Sequence, residues 1–225
     1  MRILDLDDRA TPESAVEAHV ALPESIPTDR AFLRLNMISS VDGGTAVGGV
    51  SGGLGNRDDH AVFAALRAQA DGCLVGLGTV LAEQYTVPVP PQLQLYVVSD
   101  TNDVSGAEEL FASGRATLVV PTSVGPVPDG VPELRAGDGE FVDLQALCAA
   151  LAGKVAVVEG GPTLAGLLAA QGLLDEFFVT IAPRVIAGSS QRVAHGPEAD
   201  ASLWELNHGF LDDDGFLFLR YCRRV

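Results

Sequence analysis

Lysine is almost missing from this chain. Lys154 stands alone beside thirteen arginines, and these 14 cations face 30 carboxylates, for a formal charge of −16. Such a surface repels phosphodiester backbones and anionic headgroups, which argues against nucleic acid and membrane surfaces as partners. Cysteine is as sparse: Cys73, Cys148 and Cys222 stand far apart, each in an apolar run. They offer neither a disulfide framework nor a zinc ligand set, and they read as small buried hydrophobes. His19, His60, His195 and His208 have no metal-ligand spacing. No apolar run reaches the roughly 18 residues that a membrane span needs. The segment Met1 to Asp8 is acidic, unlike a secretory signal, so the expected compartment is the cytoplasm. Neither G-x-G-x-x-G nor a P-loop spacing occurs, and no internal repeat is visible.

What is present is a regular alternation of strand and helix patterns. The 225 residues, 47% of them apolar, suit one large domain. Residues 1–30 read as an N-terminal arm, with a short helix after a Thr11 cap, and 31–225 as the domain proper. Strand patterns cover Ala31–Ile38, Cys73–Gly78, Leu93–Ser99, Ala116–Val120 and Lys154–Val158. Helical patterns cover Arg57–Gln69, a segment starting at Gly78, Glu108–Ala112 and Leu144–Leu151. This order predicts a mostly parallel sheet covered by helices on both faces, a three-layer α/β/α architecture. The ending differs. Glu176–Ala182 is a strand stopped by Pro183, and Leu203–Phe210 and Gly215–Cys222 form an antiparallel hairpin about an Asp-Asp-Asp-Gly turn. A long apolar terminal hairpin also invites pairing with a second copy.

Chemistry concentrates where strands end. Val155–Val158 runs into Glu159-Gly160-Gly161-Pro162-Thr163-Leu164, a strand-to-helix turn whose proline suits the first helical turn. Unpaired N–H groups and the positive dipole end there would receive a phosphate, although an ordinary tight turn has the same residues. A second glycine-bearing turn follows the next strand pattern, at Gly76–Thr79. Ser39–Ala46 follows a strand's carboxyl end, where ligands of open sheets collect. Within it Asp42 is either a turn residue before two glycines or a carboxylate that organises a proton. Glu159 has the same ambiguity between capping helix N–H groups and facing a substrate. Gly48–Gly55 is either a substrate loop or a mobile surface connection. Asn56 caps the helix after it, with Asp58 and Asp59 in the first turn.

Taken in order, Ser40-Val41-Asp42-Gly43, Leu66-Arg67-Ala68-x-Ala70-Asp71, Val75-Gly76-x-Gly78-Thr79-Val80-x-x-Glu83, Glu159-Gly160-Gly161-Pro162-Thr163-Leu164 and Gly172-Leu173-x-Asp175-Glu176 resemble the C-terminal reductase domain of RibD-type riboflavin biosynthesis proteins. That domain has a dihydrofolate reductase-like fold, and the deaminase zinc signature of bifunctional relatives is absent here. The resemblance implies an NADPH-dependent reductase similar to the 5-amino-6-(5-phosphoribosylamino)uracil reductases, reducing the ribosyl side chain of a phosphoribosylaminopyrimidine to the ribityl form. It implies NADPH contacts at Ile38, Gly78, Thr79, Val80, Glu83 and Gly160, Gly161, Pro162, Thr163 and Leu164, with Ser99 near the adenosine 2′-phosphate. It places Ser51, Asn56, Arg67 and Glu159 on the substrate side, and it implies a homodimer and a cis Gly160–Gly161 bond. Departures accompany the likeness. Asn36 stands where a lysine is common, Gly53 where a tryptophan is common, and a cation expected near Val89 or Pro90 is missing. Asp100, directly after Ser99, would repel a 2′-phosphate. These losses motivate an alternative pterin or dihydrofolate-like substrate, and, from another class, a cofactor-binding protein without catalysis.

Overall fold

The central strands form because β-branched and leucine-rich runs have both faces covered. The computed structural model describes residues 12–86, 90–198 and 200–224. The expected Thr11 cap, the acidic start and the Val89 position lie outside the described residues. The elements run α1 (Pro12–Val20), β1 (Phe32–Ser40), α2 (Arg57–Ala68), β2 (Gly72–Gly76), α3 (Leu77–Ala82), β3 (Gln94–Val98) and α4 (Glu108–Ala112). They continue with β4 (Ala116–Val120), β5 (Glu133–Arg135), α5 (Leu144–Ala150), β6 (Val155–Val158), α6 (Pro162–Ala170), β7 (Glu176–Ala182), β8 (Trp204–Leu211) and β9 (Leu217–Arg223). The nine strands make one sheet in the order β5-β4-β3-β2-β6-β1-β7-β9-β8. Every pairing from β5 to β7 is parallel, and β9 joins antiparallel to both β7 and β8.

This is the three-layer α/β/α architecture, with an antiparallel C-terminal hairpin, that the alternation predicted. Side chains alternate across the strands. Phe32, Cys73, Val75, Leu95 and Val157 pack with Val62 and Leu66 of α2 on one face. Leu33, Leu35, Leu74, Ala156 and Val158 pack with Leu147 of α5 and Leu168 of α6 on the other. Three local readings need correction. Ser39 and Ser40 belong to β1, because their partners Ile181 and Ala182 continue the ladder. Helix α3 starts at Leu77, with Gly76 as its cap. Strand β5 carries no apolar run; it forms because Glu133–Arg135 pairs with the buried edge of β4.

Helix α1 is tied to the sheet by a buried charge network. Arg34 donates to the Val20 carbonyl at 2.7 Å and Arg220 to the His19 carbonyl at 3.1 Å, at the helix's negative end. Glu176 accepts from both guanidiniums. The pairing β1–β7 sets Arg34 beside Glu176, and β7–β9 brings Arg220 within reach.

Candidate active site

A cavity of about 1110 Å³ opens at the carboxyl ends of β1, β2 and β6. These are adjacent central strands, and a cleft there is the usual ligand position in open α/β sheets. Its floor is where the two glycine turns meet. The Gly76 amide donates to the Gly160 carbonyl at 2.8 Å, joining the turn after β2 to the turn after β6. Gly160 has φ +86°, a conformation open to glycine at little cost, and the Gly160–Gly161 bond is cis. A Cβ on Gly161 would lie 2.5 Å from the Thr79 hydroxyl, so only glycine lets the turns approach this closely. Helix α6 begins after Gly161 with Pro162 in its first turn and no side-chain cap, so its first amides face the cavity region unpaired by side chains.

Beside these turns, and including Glu159 of the second, stands a cluster of charge. Arg67, near the end of α2, donates to Glu159 through Nε at 2.6 Å and Nη2 at 2.7 Å, and the Tyr85 hydroxyl donates to the same carboxylate at 2.8 Å. The Arg67 guanidinium also lies over the Phe63 ring, 4.2 Å from its centroid. Burial alone would lower the Arg67 pKa, but the hydrogen bonds and charge of Glu159 more than offset it and raise the value. Burial, with the Glu159 charge behind it, pushes the Tyr85 hydroxyl and the Cys73 thiol well up, so both stay protonated. The Glu159 carboxylate accepts from both Arg67 and Tyr85, so it serves as the counter-charge that aims Arg67.

The residues expected at the site divide into two groups. Ile38 from β1, Gly78 and Thr79 from α3, and Glu83 just after it line the cavity. So do Gly161, Pro162, Thr163 and Leu164 of the α6 turn, Ser51 of the glycine loop, and Arg67 and Glu159. Glu83 and Ser51, expected on different ligands, are bonded to each other: the Ser51 amide donates to Glu83 Oε1 at 2.7 Å. Gly160 sits beneath the lining and shapes the turn.

Asp42, Asn56, Val80 and Ser99 lie outside the cavity lining. The Asp42 carboxylate is taken by the Ser40 hydroxyl and by the Ile186 and Ala187 amides. Those bonds, that of Ser40 foremost, hold its pKa below the usual carboxylate range, and it lies outside the cavity lining. It ties two loops together. Asn56 caps α2 by accepting from the Asp58 and Asp59 amides, and its Nδ2 donates to Asp212 at 2.7 Å, so both ends are used. Val80 is 2% exposed and packs in the core. Ser99 follows β3 outside the cavity, its hydroxyl accepting from the Thr101 amide at 3.2 Å.

Other lining residues were missed. The loop after β7 contributes Ile186, Ala187, Ser189, Ser190 and Gln191. Ser190 accepts from the Thr45 and Ala46 amides at 2.9 and 3.0 Å, and a Cβ on Gly44 would lie 2.5 Å from Ile186 Cδ1. Nothing local in Ile186–Gln191 announces this; the β1–β7 pairing does, because it lays the two following loops side by side. Tyr85 and Asp59 were missed for another reason. Asp59 reads as a helix-start charge, and Tyr85 stands in none of the motifs.

Comparison with known proteins decides the family. The RibD C-terminal domain model matches residues 31–218. The chain belongs to the RibD C-terminal domain family. Its relatives include the 2,5-diamino-6-ribosylamino-4(3H)-pyrimidinone 5′-phosphate reductase of Methanothermobacter thermautotrophicus, 29% identical over 201 residues that cover 80% of this chain and 93% of that protein. Among solved structures, a pyrimidine reductase-like protein from Corynebacterium diphtheriae superposes with a TM-score of 0.71 at 21% identity, covering 94% of this chain and 99% of the other. Dihydrofolate reductase from Enterococcus faecalis superposes at 0.52 and 17% identity, over 86% of this chain and 97% of its own. These two likenesses speak for the fold. Within this RibD C-terminal domain three of the motifs line the cavity, through Arg67, through Gly76, Gly78, Thr79 and Glu83, and through Glu159 and the α6 turn.

Proposed function

We propose that this chain is an NADPH-dependent reductase of riboflavin biosynthesis, converting the ribosyl side chain of a phosphoribosylaminopyrimidine to the ribityl form. The observation that carries the reading is the meeting of two glycine turns beside the Arg67–Glu159–Tyr85 cluster in one cavity. The cofactor's part when bound is to supply a hydride from its nicotinamide ring. The residues fit such a group: the uncapped amides of α6 suit a pyrophosphate, the Thr79 hydroxyl stands beside them, and Gly76, Gly160 and Gly161 leave room for close approach. Arg67, fixed by Glu159 and Phe63, presents a directed guanidinium edge to the substrate's oxygens. The Ser51–Glu83 bond ties the glycine loop to the segment after α3 at the cavity's edge. Ser99 would stand near the 2′-phosphate and favour NADPH over NADH. We also place the protein in the cytoplasm as a homodimer joined through its terminal hairpin, with residues 1–30 as an arm on the domain 31–225. Among the described residues no helix is long and apolar enough to cross a membrane.

A second substrate class, a pterin or dihydrofolate-like ring, is favoured by the charge balance of the cavity. Asp59, Glu83 and Glu159 line it against His60 and an Arg67 that is already paired. The test is NADPH consumption with the aminopyrimidinone phosphate and, separately, with dihydrofolate. Turnover of the first is expected. Folded protein that binds NADPH and reduces neither would overturn the reading.

A further inference from the structure

Helix α3 ends in a turn that glycine usually makes. The Glu83 amide donates to the Thr79 carbonyl at 2.9 Å, and the Tyr85 amide to the Val80 carbonyl at 3.0 Å. That pattern is a Schellman cap, whose middle residue takes the left-handed conformation. Here that residue is Gln84, with φ +51°. A side chain in this region is strained, and strain of this kind collects at functional sites. What the turn achieves stands on either side of it. Glu83, Gln84 and Tyr85 all line the cavity, and the two flanking residues reach separate partners. Glu83 accepts from the Ser51 amide of the glycine loop, and the Tyr85 hydroxyl donates to Glu159 Oε2 at 2.8 Å.

The bond to Glu159 has a mechanical consequence. The last torsion of a glutamate has broad minima, so its donors decide how the carboxylate plane lies. Arg67 donates through Nε to Oε1 and through Nη2 to Oε2, so guanidinium and carboxylate form one flat unit that can swing together. The Tyr85 hydroxyl meets Oε2 from a different element and stops that swing. Phe63 and Tyr85 also flank the guanidinium, their ring centroids 4.2 and 5.8 Å from its carbon. Among the described residues Arg67 Nη1 has no protein hydrogen-bond partner, which leaves a donor edge for the cavity.

We propose that Tyr85 is a positioning residue of the reductase, locking the plane of the Glu159 carboxylate and so the direction in which Arg67 presents its free Nη1 edge to the substrate. The inference rests on the reductase reading above and deepens it with a residue that stands in none of the motifs. The left-handed turn at Gln84 is what brings the phenol to Glu159 while Glu83 turns towards the glycine loop. Burial, with the Glu159 charge behind it, keeps the Tyr85 hydroxyl protonated, so it remains a donor at neutral pH.

The experiment uses Tyr85→Phe, which keeps the ring and its packing and removes only the donor. Kinetics with NADPH and the aminopyrimidinone phosphate are read beside the melting temperature and the assigned NMR signal of the Arg67 Nε–H. In Tyr85→Phe, kcat/KM for the pyrimidine is expected to fall by about tenfold, the order of one hydrogen bond to a charged group. The KM for NADPH and the melting temperature should change little, while the Arg67 Nε–H signal shifts and exchanges faster with water. An unchanged kcat/KM would overturn the proposal, and so would an unchanged Arg67 signal. A loss shared equally by NADPH affinity and melting temperature would also overturn it, because it marks a merely structural role. All three leave the reductase reading intact. A wild type that reduces no substrate removes the reductase reading instead. The Arg67 signal then decides Tyr85 by itself: a shift in Tyr85→Phe supports the lock, and constancy rejects it.

Discussion

Arg67 grips both carboxylate oxygens of Glu159, at 2.6 and 2.7 Å, across 92 residues of sequence. The pair joins α2 to the turn after β6 and fixes the one guanidinium that, among the described residues, lines the cavity. Removing either partner strands a largely buried charge, which typically costs about 3–5 kcal/mol. Arg67→Ala and Glu159→Ala are each expected to lose that order of stability in urea titrations, and both to lose turnover. In a double-mutant cycle their stability effects should fall well short of additive, because the second deletion removes the orphaned charge.

A second buried pair organises the opposite half of the fold. Glu176 is shared by Arg34, whose side chain is fully buried, and by Arg220. Glu176→Gln leaves two guanidiniums without a counter-charge and is expected to cost about 3–5 kcal/mol. The urea midpoint should fall with little change in slope. Amide exchange should also quicken across α1, whose last carbonyls those guanidiniums hold.

Acid sensitivity follows from His19. Burial foremost, with the nearby His208 and the Arg220 and Arg34 charges, lowers its pKa from 6.5 to about 3. The unfolded chain therefore takes up a proton that the folded chain refuses within that window. Stability should fall as pH drops from about 6.5 towards 3, by up to roughly 1.4 kcal/mol per pH unit from this group. His19→Leu is expected to flatten that part of the melting temperature against pH curve.

The glycine loop is tied to the segment after α3 through the Ser51 amide. Glu83→Ala removes the acceptor of the Ser51 amide. A neutral-to-charged bond of this kind is worth about 1.5–3 kcal/mol, so exchange of the Ser51 amide should accelerate by roughly tenfold or more. The substrate KM should rise while the melting temperature changes little.

The alternation of strand and helix patterns was legible in the sequence because buried parallel strands are nearly continuous apolar runs, as in Val155–Val158. The glycine turns and the Arg67 and Glu159 positions were legible because they carry motifs. Long-range geometry was not. That Ser51 binds Glu83, and that Ser190 braces Thr45, depends on which strands are neighbours, and no local residue pattern encodes that. That Asn56 and Asp42 satisfy loop amides outside the cavity lining was not legible for a related reason. Short polar side chains that face ligands and those that satisfy loop amides have the same composition and differ only in what lies opposite. Asp59 shows the reverse error, since a helix-start acid is ordinary until the cavity beside it is seen.

The most direct test of the reductase reading follows the transferred hydrogen. Wild-type protein is supplied with NADPH deuterated at the transferring position of the nicotinamide and with the 2-amino-4-oxo ribosylaminopyrimidine phosphate, and the product is analysed by mass spectrometry. The account predicts a ribityl product carrying a single deuterium on the former imine carbon, with NADPH consumed in equal amount, and loss of that product in Arg67→Ala. Unchanged substrate in the presence of folded, NADPH-bound protein, or a reduced product without the label, would contradict it.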